Sequence, residues 1–79
     1  MKVQVLFFGA TADAAGTREF EIDLPENTIA RDALARIAGK FPALKQHSLL
    51  FAVNQEYANG DELIRNDDEL AVFTAVSGG

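Results

Sequence analysis

From Arg18 to Leu24 the chain reads REFEIDL and alternates without a fault. In an extended backbone Phe20, Ile22 and Leu24 fall on one side, and Glu19, Glu21 and Asp23 on the other. Three carboxylates must stay wet while three apolar side chains are buried. That requirement commits the chain to a sheet with one covered face and one face open to water. The stretch before it, KVQVLFF, has a different texture. Val3, Val5 and Phe7 lie on one side, and Leu6 and Phe8 on the other. Apolar residues on both sides predict a strand in the interior of the sheet, buried on both faces. Gly9 ends it, and ATADAAG allows one helical turn at most, with Thr11 as N-cap and Gly16 as C-terminal stop.

The covering layer comes next. Pro25 and Asn27 break the second strand, and Thr28 stands where a helix cap is expected. Ile29, Ala33, Leu34, Ile37, Ala38 and Phe41 then recur at helical spacing, with Arg31, Asp32, Arg36 and Lys40 mostly opposite. Asp32 and Arg36 are spaced for an i,i+4 ion pair, and Gly39 with Pro42 closes the helix. LLFAVN reads as a compact buried strand, Asn59-Gly60 as a turn, RNDDE as another turn, and LAVF as the last strand. Strand, strand, helix, strand, short irregular hairpin and strand make an α+β two-layer sandwich with one main helix on one face. With the last strand parallel to the first, the mixed sheet is a β-grasp, the ubiquitin-like arrangement. Seventy-nine residues suffice for one such domain, expected over residues 1–74, with a flexible tail over 75–79.

Composition removes several kinds of function. A formal charge of −5 argues against nucleic acid and suits a partner with a basic groove. The absence of cysteine excludes a disulfide framework and a thiolate nucleophile, and leans towards a cytoplasmic protein. The apolar run near the N-terminus is broken by Gln4 and too short for a signal peptide, and no stretch reaches the length of a membrane span. His47 stands without a second histidine. Asp67, Asp68 and Glu69 lack calcium-loop spacing, and the segment between Gly9 and Gly16 lacks a phosphate-binding motif. Ser77 has no base beside it. These side chains include no constellation that runs a reaction, and no cofactor is expected to be held stably.

What is left is the last stretch, FTAVSGG. The carboxylate of Gly79 sits on the least hindered residue there is, and Ser77 and Gly78 keep the leading end slim. Residues 75–79 reach ~17 Å beyond the last strand, enough to thread a narrow tunnel in another protein. Phe73 and Val76 are the candidate partner anchors, Phe73 being equally readable as core. A carboxylate so placed can be activated with ATP as an acyl-adenylate and then attacked by sulfur or by a lysine amine.

VLFFGATADAAGT, LLFAVNQEYA and DDELAVFTAVSGG resemble the small, sulfur-carrier subunits of molybdopterin synthase, over nearly the whole chain. Val53-Asn54-Gln55 and the run from Asp68 to Gly79 are the specific parts. The resemblance implies adenylation of Gly79 by an E1-like enzyme that consumes ATP. A cysteine desulfurase or rhodanese-like sulfur donor would then convert it to a thiocarboxylate. It also implies a large catalytic subunit, two copies of each chain together, where sulfur passes to cyclic pyranopterin monophosphate. The small subunit alone is then inactive. Asn66-Asp67 stands where the family often has Asp-Gly, asparagine tolerating the left-handed conformation. Thr74-Ala75 stands where it often has prolines. Thiamine-pathway sulfur carriers and ubiquitin-like protein modifiers share the fold and the terminal glycines, and remain alternatives.

Overall fold

The computed structural model describes residues 1–75. Strand β1 (Lys2–Phe7) is followed by helix α1 (Ala10–Ala15), β2 (Glu19–Asp23), α2 (Ala30–Lys40), a 3-10 turn (Pro42–Gln46), β3 (Leu49–Val53), β4 (Glu56–Tyr57) and β5 (Glu69–Thr74). The strands form one mixed sheet in the order β2-β1-β5-β3-β4. β1 is antiparallel to β2 and parallel to β5, while β3 is antiparallel to both β4 and β5. First and last strands are thus neighbours, and the architecture is the α+β β-grasp.

One face of the sheet is closed. Val3, Val5, Ile22, Leu70 and Val72 meet Ala30, Ala33 and Ile37 of α2, together with Leu44 and Ile64. Phe7, Phe20 and Phe41 add an aromatic trio, with ring centroids 5.1–5.8 Å apart. β1 lies inside the sheet as its apolar character requires, but it is not buried on both faces. Leu6 is half-buried and Phe8 is 53% exposed. Among the described residues nothing forms a second covering layer on the sheet. β3 departs from expectation in the same way, with Leu49, Phe51 and Val53 packed against the core and Leu50 on the other side 42% exposed.

The helix borders differ from the sequence reading for tertiary reasons. Thr28 does not cap α2; its hydroxyl donates to the Pro25 carbonyl at 2.6 Å, and Ile29 takes the cap position without a side-chain bond. The first helical amides are satisfied from across the chain, Ala30 N–H by the Glu62 carbonyl and Arg31 N–H by the Gly60 carbonyl. Gly39 lies within α2, which runs to Lys40 with Phe41 as its C-terminal cap. Asp32 and Arg36 form no ion pair; Arg31 instead reaches Asp61 at 2.8 Å. α1 is longer than one turn, its N-cap is Gly9, and Thr11 is buried inside it.

The turn positions also move. Gly60 does adopt a positive φ of 116°, but the tight hairpin sits earlier. Asn54 and Gln55, at φ 50° and 71°, are the two loop residues between Val53 and Glu56, an arrangement that needs positive φ at both. In the turn before β5 the left-handed residue is Asp67 (φ 69°), not Asn66. Asn66 is held in place because its side-chain carbonyl accepts from the Lys2 amide.

Two outcomes follow. Gly39 is exposed within α2, and a Cβ there would meet nothing within 4 Å. Gly39→Ala should therefore raise stability by ~0.5–1 kcal/mol, seen as an upward shift of the thermal midpoint. The second concerns Glu62, whose carboxylate accepts from the Asn59 and Gly60 amides at 2.8 and 2.9 Å. The Asn59 bond, then the other backbone amides and the Arg31 charge, hold its pKa below the usual glutamate range. A depressed folded pKa contributes stability above the unfolded value of ~4.3 and loses it as pH falls further. Glu62→Gln should flatten part of the acid limb of a stability–pH curve below about pH 4.3 and leave its neutral limb parallel to wild type.

Candidate functional site

β5 presents opposite chemistry on its two sides. Leu70 and Val72 are fully buried against α2, while Ala71 and Phe73 turn to the uncovered face. Residues directly opposite in an antiparallel ladder share a side. Leu50 stands across from Phe73, Ala52 across from Ala71, and Tyr57 across from Ala52. On the β1 side Leu6 lies next to Ala71. These residues make an apolar surface over the β1, β5, β3 and β4 strands. Tyr57 is 81% exposed, and its ring meets Phe73 edge-on at 5.7 Å. Leu6 and Phe8 also line a groove of about 590 Å³, rimmed by Asp13, Arg18 and Glu19.

Phe73 therefore is not core; it belongs to this open face, at the end of β5 from which the chain continues. Val76, Ser77, Gly78 and Gly79 lie outside the described residues. Leu50 and Tyr57 were not singled out in the sequence, and both help build the face. For Leu50 the signal was hidden inside an unbroken apolar run. For Tyr57 it was hidden by the two-residue strand, which shows its register only once the Asn54-Gln55 hairpin is recognised.

The end of β5 is fixed by a buried hydroxyl. Thr11, fully buried, contacts the Val72 and Phe8 carbonyls at 2.8 Å each and accepts from the Phe8 amide at 3.0 Å. Phe8 N–H also bonds the Val72 carbonyl at 3.1 Å. Val72 is thus the last residue of β5 held from the β1 side, and β3 alone accompanies Phe73 and Thr74. At the opposite end, Asn54 accepts from the Glu69 amide at 2.9 Å and donates to Asp68 at 3.0 Å. Both ends of β5 are pinned by side chains.

The other candidates are structural. His47 is exposed and caps the 3-10 turn with its backbone. The Asp68 carboxylate is occupied by the Arg65 amide and by Asn54, which is turn work. Among the described residues no group of three or more His, Cys, Asp or Glu is placed to hold a metal ion. Among them, too, no helix is long and apolar enough to cross a membrane.

The family model described as the ThiS family matches residues 5–79. The molybdopterin synthase sulfur carrier subunit of Caenorhabditis elegans is 42% identical, over 100% of this chain and 99% of its own. Among solved structures, a putative molybdopterin converting factor, subunit 1, from Pyrococcus furiosus superposes with a TM-score of 0.89 at 30% identity, covering 96% of this chain and 99% of that one. SAMP1 from Haloferax volcanii superposes with a TM-score of 0.89 at 29% identity, covering both chains completely.

The two faces of β5 should respond differently to truncation. Leu70→Ala removes a fully buried side chain and should cost ~2–5 kcal/mol in urea unfolding. Phe73→Ala removes a half-buried ring and one aromatic pair, and should cost only ~1 kcal/mol. Equal losses would mean that Phe73 is a core residue.

Proposed function

The chain belongs to the ThiS family, and from that premise we propose that it is the sulfur-carrier subunit of a molybdopterin synthase. The observation that carries this reading is the end-to-end match to relatives bearing that name, in Caenorhabditis elegans at 42% identity and in Homo sapiens at 35%. In this reading Gly79 presents the reactive carboxylate. One of its oxygens attacks the α-phosphorus of ATP in an E1-like enzyme, and pyrophosphate leaves. The outer sulfur of a persulfide on a sulfur donor, a cysteine desulfurase or rhodanese-like protein, then attacks the acyl carbon and displaces AMP. A thiol reduces the resulting acyl disulfide, leaving the thiocarboxylate and a new disulfide on the donor side. The sulfur is delivered to cyclic pyranopterin monophosphate within a large catalytic subunit, in an assembly with two of each chain. The chain binds no cofactor of its own; ATP is spent by the activating enzyme.

The fold supplies what such a carrier needs. β5 is clamped at Val72, so the residues after Thr74 start from a fixed point. The apolar face with Phe73 ends at the same place, and a partner seated on it would have the terminal residues leading into its site. Val76, Ser77 and Gly78 are the other proposed contacts. The partner must bring the cationic groups that hold a phosphate-bearing pterin, because this chain is acidic.

A second reading, a protein modifier joined to lysines, is favoured by the match to SAMP1, which H. volcanii structures name a small archaeal modifier protein. Activation is shared up to the adenylate; the acceptor differs.

Intact-mass analysis of the chain from its native cells separates these. The carrier reading expects a species with one terminal oxygen replaced by sulfur, lost in cells without the activating enzyme. Chains found only in isopeptide linkage, never as thiocarboxylate, would favour the modifier. Gly78→Val should leave the thermal midpoint unchanged and sharply reduce sulfur delivery, because a Cβ thickens the segment that must thread. A chain extended by one residue past Gly79 and still supporting synthesis untrimmed would refute the role of that carboxylate.

A further inference from the structure

The strand at the outer edge of the sheet, β2, has one side without a neighbour among the described residues. Its hydrogen-bond phase against β1 is set by three bonds: Met1 to Leu24, Leu24 to Met1, and Phe7 to Arg18. In an antiparallel ladder alternate residues turn their amide groups to the same neighbour. Arg18, Phe20, Ile22 and Leu24 therefore bond towards β1, with Val5 and Val3 paired to Phe20 and Ile22. Glu19, Glu21 and Asp23 turn N–H and C=O outward. The Glu19 carbonyl accepts from the Thr17 hydroxyl at 3.0 Å. The outward groups of Glu21 and Asp23 have no partner among the described residues. The opposite edge is blunted in the usual way, β4 being two residues long.

The side chains flanking this open ladder sort by face. On the open face all three residues are carboxylates, and among the described residues the one ion pair there is Lys2 with Glu21 at 3.8 Å, both side chains mostly exposed. Lys2 is also the register partner of Asp23. On the helix side, Phe20 and Phe41 meet at 5.1 Å and both remain half-buried, because the sheet stops there. A strand laid along β2 would complete the ladder with one set of residues on the aromatic shoulder and the alternate set facing carboxylates.

We propose that the free edge of β2 is a docking site for an extended segment of a partner protein in which apolar residues alternate with lysine or arginine. Strand addition supplies the backbone bonds, and the two flanks supply the specificity. A second copy of this chain is the wrong occupant: paired edge to edge it would set Glu19, Glu21 and Asp23 against their own kind, which is destabilising. This goes beyond the sulfur-carrier reading and does not depend on it, since neither Gly79 nor the Phe73 face takes part.

The test uses the full-length 15N-labelled chain and an acetylated, amidated peptide, Lys-Val-Lys-Val-Lys-Val-Lys, as probe. Amide hydrogen exchange at Glu21 and Asp23 should slow on binding, and affinity should fall as salt rises. The same peptide with glutamate for lysine should give no protection. Glu19→Gln, Glu21→Gln and Asp23→Gln together should weaken binding by about tenfold or more with the thermal midpoint kept. Glu21→Pro deletes one outward N–H while leaving every bond to β1, and should also abolish protection at Asp23. Binding without slowed exchange at Glu21 and Asp23 overturns the proposal, as does equal protection by the glutamate peptide. Concentration-dependent protection of these amides with no peptide present would overturn it in favour of self-association.

Discussion

Everything in this molecule depends on the parallel pairing of β1 with β5, which joins the two ends of the sequence at the centre of the sheet. Parallel ladders are slightly weaker per residue than antiparallel ones and need a long crossover. Here the crossover contains α2 and the β3–β4 hairpin, so the pairing forms only when most of the chain is already committed. The structure compensates at both ends of the ladder. Asn66 and Asp67 hold both backbone groups of Lys2 at its start. Thr11 closes it at Val72. Val5, Leu70 and Val72, all fully buried, fill the space between. The carrier strand is therefore among the most constrained elements up to Val72.

That rigidity has a functional sense. On the function proposed above, a chain that offers its last atoms to successive enzymes needs a defined departure point, because uncertainty there is multiplied along the residues that follow. Thr11 adds a side chain to the last backbone donor on that side, the Phe8 amide, so the Val72 carbonyl is held where β1 ends. A hydroxyl buried at such a place is costly unless bonded, and this one is surrounded by partners. The residue thus couples the local geometry of α1 to the end of β5, which explains why the chain inserts a short helix after β1 instead of a plain turn.

The legible part of the fold was that governed by period. REFEIDL declared its two faces, and the helical stripe declared α2, because burial on one side leaves a repeat of two or 3.6. What stayed hidden was whatever the chain settles over a distance. Thr28 looked like a cap, but the α2 amides are taken by Gly60 and Glu62, some thirty residues on. Gly39 looked like a stop, but Phe41 packs against Phe7 and Phe20 and carries the helix past it. The Asn54-Gln55 hairpin was obscured because glutamine at positive φ is disfavoured, and the Asn54 side-chain bonds to Asp68 and Glu69 that hold it there are remote in sequence. Of the candidate site, the terminal glycines and Phe73 were visible as letters. The face around Phe73 was not, because it is assembled from β1, β3, β4 and β5 by register.

The uncovered face is also divided by chemistry across its width. Its apolar patch is Leu6, Ala71, Phe73, Leu50, Ala52 and Tyr57, whereas a row of three carboxylates lies on β2, two strands or roughly 10 Å from β5. In an uncovered sheet of this size, an apolar patch invites edge or face association unless something opposes it. The three carboxylates oppose it at the free edge of β2, and Lys2 offsets only part of their charge. A partner that covers Phe73, Tyr57 and Leu50 leaves β2 untouched, so one molecule can be held by its face while its edge stays available. On the carrier function proposed above, such a division is useful, since a second contact at the β2 edge need not compete with one made by the Phe73 face.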